Sequence, residues 1–305
     1  MAPPHENDYN GITHRRLSRR SLLAGTASVG AVAAMGAAAG CSRAEAGESV
    51  EGGDLLEELR DRGMVKVGIA SEPPFGFLDE DGEATGEAPA IAKRIFKALG
   101  VPKIEAVPVE FGALIPGLKV QQFDVVSAGM YIQPDRCAQV IFSDPDYLMK
   151  DAFIVKKGNP EGIRNYEDIA KKGLKLASGT AYAEIAYAEA HGIKDILILP
   201  DQVAGLEAVA QGRVHAFAGT NVTVQGVVKG SAKAEATKPF QPYVDGKPAY
   251  GAGGFAFRPA EKNLRDAFNR ELHKLKDSGE LLRIVKPFGF TKAEMTDLTA
   301  KELCG

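Results

Sequence analysis

The chain has 305 residues, 45% of them hydrophobic and 25% charged, a balance suited to a globular protein of one or two domains with a sizeable core. The net charge of -3 is uneven, because four arginines face only Glu6 and Asp8 in residues 1–40, which leaves about -5 on the remainder. That mildly acidic body has no basic stripe, so nucleic acid is excluded as an expected partner.

Near the start of the sequence, Leu17-Ser18-Arg19-Arg20-Ser21-Leu22-Leu23 runs through an alanine- and glycine-rich stretch to Ala38-Ala39-Gly40-Cys41. Paired arginines before a weakly apolar region have the form of a twin-arginine export signal, and small residues before a cysteine have that of a lipoprotein cleavage box. A transmembrane anchor over residues 22–40 is the competing reading. Residues 1–40 are expected to be removed, Cys41 to carry the lipid that holds the protein to the membrane, and residues 41–53 to form a solvated tether. Cys137 and Cys304 then remain, either paired in an oxidising compartment or free.

Beyond the tether, apolar runs of strand length alternate with amphipathic segments, which predicts α/β sheets with crossover helices. The first series is a strand at 65–70, a helix at 89–99, a strand at 104–109, a helix at 114–120 and a strand at 124–128. The second is a helix at 166–172, a strand at 174–178, a helix at 181–191, a strand at 196–199, a helix at 202–211, a strand at 215–218 and a helix from Val222. Two such arrays predict two lobes, with crossings over 146–156 and 247–258. Leu264, Phe268, Leu272 and Leu275 form one apolar stripe of a C-terminal helix that should pack on a lobe. The expected boundaries are 54–147 with 253–305 for lobe 1, 153–247 for lobe 2, and 148–152 and 248–252 for the hinges.

Ligands of open α/β sheets sit beyond the carboxyl ends of the strands, and the residues found there have a coherent chemistry. Glu72 and Phe75 follow the first strand in Ser71-Glu72-Pro73-Pro74-Phe75-Gly76-Phe77, Phe111 follows the next, and Tyr131 and Arg136 follow the third. Three aromatic faces beside a carboxylate suit a cation. Arg136 offers a planar fork to a carboxylate, unless it pairs with Asp135 or Asp144. Gly179 and Thr180 precede the helix at Ala181, where backbone N–H groups meet an anion, or Thr180 serves as an ordinary cap. The ligand class that follows is a small zwitterion.

His191, His215 and His273 are the histidines beyond residue 40, and none has a second ligand at metal spacing. No P-loop, GxSxG elbow or complete GxGxxG is present, so neither a metal nor a cofactor is expected.

Together, Glu110-Phe111-Gly112-Ala113-Leu114-Ile115-Pro116-Gly117-Leu118, Phe123-Asp124-Val125-Val126-Ser127-Ala128-Gly129-Met130, Arg136 followed by Phe142-Ser143-Asp144-Pro145, and Ala177-Ser178-Gly179-Thr180 resemble the extracytoplasmic solute-binding proteins of polar amino acid ABC importers. The resemblance implies a two-lobed periplasmic-binding-protein fold of type II, a monomer without enzymatic activity, and partners in permease subunits with a cytoplasmic ATPase. The chain looks most like the ectoine and hydroxyectoine binders, which implies an aromatic cage of Phe75, Phe111 and Tyr131, an acid in Glu72 and a carboxylate receptor in Arg136. Amino-acid binders of the family place an aspartate where this chain has Gly219-Thr220-Asn221, which makes Thr220 and Asn221 site residues and tilts the expectation towards an amidinium. The alternatives are a receptor for a polar amino acid or another compatible solute and, from a different class, an elimination enzyme resembling cyclohexadienyl dehydratases with Glu72 as acid or base.

Overall fold

The structure, a computed structural model, describes residues 54–305. The leader, the tether and Cys41 lie outside the described residues. Helix α1 (Leu55–Arg62) begins at Asp54, whose carboxylate accepts the Leu56 N–H at 3.1 Å, the capping expected of an aspartate at that position.

The first lobe is built from β1 (Met64–Ile69), α2 (Glu87–Ala98), β2 (Lys103–Pro108), α3 (Leu114–Lys119), β3 (Val125–Tyr131), the short α4 (Pro134–Cys137), β4 (Ile141–Phe142) and β5 (Tyr147–Met149). The chain then passes through Lys150 into β6 (Asp151–Lys156) and the second lobe. That lobe continues with α5 (Tyr166–Lys172), β7 (Leu176–Gly179), α6 (Ala183–Ala190), β8 (Ile196–Leu199), α7 (Gln202–Ala210), β9 (Ala216–Thr220), α8 (Asn221–Val227) and β10 (Ala234–Ala236). It returns through β11 (Gly251–Phe257) to α9 (Lys262–Asp277), α10 (Glu280–Val285) and α11 (Ala300–Cys304).

Six strands form the first sheet, in the order β2-β1-β3-β11-β4 with β5 also on β11, and five form the second, in the order β8-β7-β9-β6-β10. Within each, the βαβ strands run parallel: β1 with β2 and β3, and β7 with β8 and β9. The crossing strands β11 and β6 are antiparallel to their neighbours. This is the type II periplasmic-binding-protein fold. The parallel arrays place the ends of β1, β2 and β3 at one edge of the first sheet and those of β7 and β9 at an edge of the second.

The C-terminal stripe packs as the spacing implies. Leu264, Phe268 and Leu272 are fully buried, and the Phe268 ring lies 4.6 Å from Phe255, 5.5 Å from Phe257 and 5.6 Å from Phe96. Helix α9 thus covers the returning strand β11, each such side chain contributing about 1.5–3 kcal/mol of burial. Lys150 is held at the first crossing by Asn221, whose N–H donates to the Lys150 carbonyl at 2.8 Å while its Oδ1 accepts the Lys150 N–H at 3.1 Å.

Cys137 and Cys304 are disulfide-bonded, which resolves the two alternatives left by the sequence. The bridge ties α11 to α4, the element that carries Arg136. It closes a loop across a separation of 167 residues, and a cross-link of this kind restricts the unfolded chain. Cys304→Ser should therefore lower stability by about 2–4 kcal/mol in denaturant unfolding, and reductant should lower the melting temperature of the wild type and not that of the variant.

Candidate ligand-binding site

Glu72 stands in a loop that the backbone closes on itself: its N–H donates to the Gly76 carbonyl at 3.0 Å, and its carbonyl accepts the Phe75 N–H at 2.9 Å. The Glu87 and Ala88 N–H groups then donate to the carbonyls of Pro74 and Phe75, both at 2.9 Å. The first turn of α2 therefore fixes the loop. The Phe75 ring lies against Gly129, where a Cβ would stand 2.4 Å from the ring on a backbone with φ +63°. Glycine at 129 is a steric requirement for that ring. Behind it are Tyr147 at 5.2 Å and Phe290 at 5.8 Å, so Phe75 is partly core and partly site wall.

Glu72, Phe75, Phe111, Tyr131 and Arg136 of the first lobe and Thr220 of the second line one cavity, about 30 Å³ in the closed arrangement, together with Tyr182, Ala183 and Glu184. Six of the nine side chains and glycines singled out in the sequence are brought together there. Gly179, Thr180 and Asn221 are not in its wall. Ala181 has φ +61°, so the helix begins at Ala183 rather than Ala181, and Thr180 N–H and Oγ1 both donate to the Leu199 carbonyl, at 2.8 and 3.2 Å. Neither Thr180 donor faces the cavity. Gly179 lies under the Tyr182 ring, and Asn221 is occupied with Lys150.

Arg136 is 7% exposed and joins the lobes. Its Nη1 donates to the Tyr131 carbonyl and its Nη2 to the Ala181 carbonyl, both at 2.8 Å, and its guanidinium carbon stands 5.4 Å from the centre of the Phe111 ring. The positive φ at Ala181 aims that carbonyl at the guanidinium. Opposite stands Glu72, 8% exposed, whose Oε1 accepts the Tyr182 phenol. Among the described residues no other donor reaches this carboxyl.

Tyr182, Ala183 and Glu184 were not among the residues singled out from the sequence. Glu184 had a readable signal: the buried face of α6 is Ala183, Glu184, Tyr187 and Ala188, a helical period that places one acid among apolar residues. It is 2% exposed, and its Oε1 has no hydrogen-bond partner among the described residues.

A second cavity of about 420 Å³ shares Glu72, Phe111 and Tyr182 with the first and adds Glu110 and Asp201. The adjoining cavity is therefore acidic, an arrangement that raises the local concentration of cations. No helix among the described residues is long and apolar enough to cross a membrane, and no group of metal-ligating residues occurs among them.

Comparison with known proteins places this geometry in context. Residues 65–291 match the bacterial extracellular solute-binding proteins, family 3. A probable amino-acid ABC transporter periplasmic-binding protein of Sinorhizobium fredii is 35% identical over 261 residues, 83% of this chain and 87% of that protein. The crystal structure of EhuB in complex with hydroxyectoine superposes with a TM-score of 0.74 at 36% identity, over 82% of this chain and 97% of that one. An ancestral arginine-binding protein bound to arginine superposes with a TM-score of 0.66 at 31% identity, over 75% and 99% of the two chains.

Burial pushes the Glu72 carboxyl up to about 7, the Tyr182 bond opposing it, and pushes Glu184 to about 7, opposed by its own backbone and by Arg136. Burial also raises Glu87, Asp146 and Asp151. A raised carboxyl binds more protons in the folded state than in the unfolded one between its ordinary pKa and the shifted one. Stability contributed by these groups is then present at low pH and falls as pH rises through that window. The melting temperature of the ligand-free protein should accordingly fall between about pH 4.5 and 7, and Glu184→Gln should flatten the slope.

Proposed function

The chain belongs to the bacterial extracellular solute-binding proteins, family 3, and on that premise we propose that it captures ectoine or hydroxyectoine outside the cytoplasm and delivers it to the permease of an ABC importer. The observation that carries this reading is the convergence of Glu72, Phe75, Phe111, Tyr131 and Arg136 on one cavity between the lobes. Ectoine is a cyclic amidinium, planar over its N–C–N unit, with a carboxylate. Its delocalised charge suits π faces beside a buried acid, and its carboxylate suits a desolvated guanidinium. The hydroxyectoine complex of EhuB, similar over almost its whole length, supports the same ligand class.

The mechanism requires no covalent step. The lobes, 54–147 with 253–305 and 153–247, turn about 148–152 and 248–252, and a ligand that touches both lobes favours the closed state by its differential affinity for it. A ligand of about ten heavy atoms has an efficiency ceiling near -1.5 kcal/mol per atom, well beyond the roughly -8 kcal/mol of a micromolar complex. Contact area therefore does not limit affinity; the quality of closure does. Export through the twin-arginine leader and acylation of Cys41 would hold the receptor at the outer face of the membrane.

Glu184 favours a second reading, a cationic amino acid. A second buried acid on the side of Arg136 is placed to hold an α-ammonium while Glu72 holds a side-chain cation. Competition calorimetry with ectoine, hydroxyectoine, arginine, lysine and glycine betaine separates the two, ectoine and hydroxyectoine being expected to displace the amino acids. Arg136→Ala should weaken ectoine binding at least about thirtyfold, the lower end of the cost of removing one partner from a buried charged pair. Unchanged affinity would remove the carboxylate from that residue.

A further inference from the structure

We infer that Tyr182 is a specificity-determining residue that selects against guanidinium ligands, because its phenol already donates to one oxygen of Glu72, which a guanidinium binding both oxygens would have to share. The inference rests on Glu72 as the receptor of the cation.

Tyr182 comes from the second lobe and reaches Glu72 across the cleft. Its Oη donates to Glu72 Oε1 and lies 3.0 Å from Gln202 Oε1. The ring is held on several sides: its centre is 5.6 Å from that of Phe111 and 6.4 Å from that of Phe217, edge to face in both cases. Underneath is Gly179, where a Cβ would stand 2.5 Å from the Tyr182 Cζ. The bare Cα at 179 is what admits the ring, and its neighbours keep it from swinging aside. Space for a solute then comes from movement of the lobes, with Tyr182 carried on the second lobe and brought back onto Glu72 at each closure.

Guanidinium and carboxylate bind most strongly through two parallel N–H···O bonds, each oxygen taking one donor. With Oε1 already accepting the phenol, a guanidinium has to share that oxygen with Tyr182 on its remaining lone pair, which weakens one of the two bonds in a buried site where a poorly met donor is expensive. A cyclic amidinium differs, since its two N–H bonds diverge from the carbon between them and a carboxylate takes only one. An ammonium likewise presents a point charge that one oxygen serves. Tyr182 thus costs an amidinium or ammonium little and weakens one of the two bonds of a guanidinium. The chain is similar to an ancestral arginine-binding protein, so arginine is a relevant competitor for this discrimination to act on.

The test uses calorimetry of L-arginine and L-lysine with the wild-type protein, Tyr182→Phe and Gly179→Ala, melting temperatures confirming that each is folded. Tyr182→Phe keeps the ring and frees Oε1, and Gly179→Ala displaces the ring from below. Both should raise the ratio of arginine to lysine affinity at least tenfold. An unchanged ratio, including a parallel loss for both ligands from looser closure, overturns the assignment, as does failure of both variants to bind arginine. Ectoine titrated into the wild type is read separately: its failure to bind would defeat the proposed function and leave the arginine to lysine ratio untouched.

Discussion

The closed form of this receptor depends on one desolvated guanidinium. Arg136 has left water, and a buried arginine stays charged, so its donors must be met by the protein or the ligand. Two are met by carbonyls from opposite lobes, Tyr131 and Ala181, and its face is met by the Phe111 ring. Burial lowers its pKa, with Asp135 and Glu184 opposing that shift. The Cys137–Cys304 bridge and the turn at Ala181 both serve to bring this group and its acceptors to one place.

Around that charge the site is arranged as a gradient. Glu72 and Glu184 lie in a space where burial disfavours their ionised forms, and Glu110 and Asp201 line the adjoining cavity. Both cavities are therefore lined by acids, and the proposed cationic group of the ligand would meet them where they are least solvated. The aromatic walls add cation–π attraction for a positive group placed over their faces. The same rings support the fold, since Phe75 rests on Gly129 and on the Tyr147 and Phe290 rings, and any change to the cage is also a change to the lobe.

Much of this was legible in the sequence where the signal is local. The strand at Met64–Ile69, the helix at Glu87–Ala98 and the stripe of Leu264, Phe268, Leu272 and Leu275 follow from hydrophobic periods that hold wherever the segment packs. Residues at the ends of parallel strands meet because the sheet aligns those ends, so Glu72, Phe75, Phe111, Tyr131 and Arg136 were found together. The helix start at Ala183 was misplaced by two residues because Ala181 adopts a left-handed conformation that its own type disfavours, with its carbonyl accepting from Arg136.

The sequence by itself determined the two α/β arrays, the crossings and the chemical types that line the cleft, because each depends on spacing along the chain. The tertiary structure alone decided which polar atoms are free. Thr180 is occupied with Leu199, Asn221 with Lys150, and Glu72 Oε1 with a phenol 110 residues away. Hydrogen-bond partners of that kind are chosen by how two lobes close on each other, and no local pattern encodes that distance.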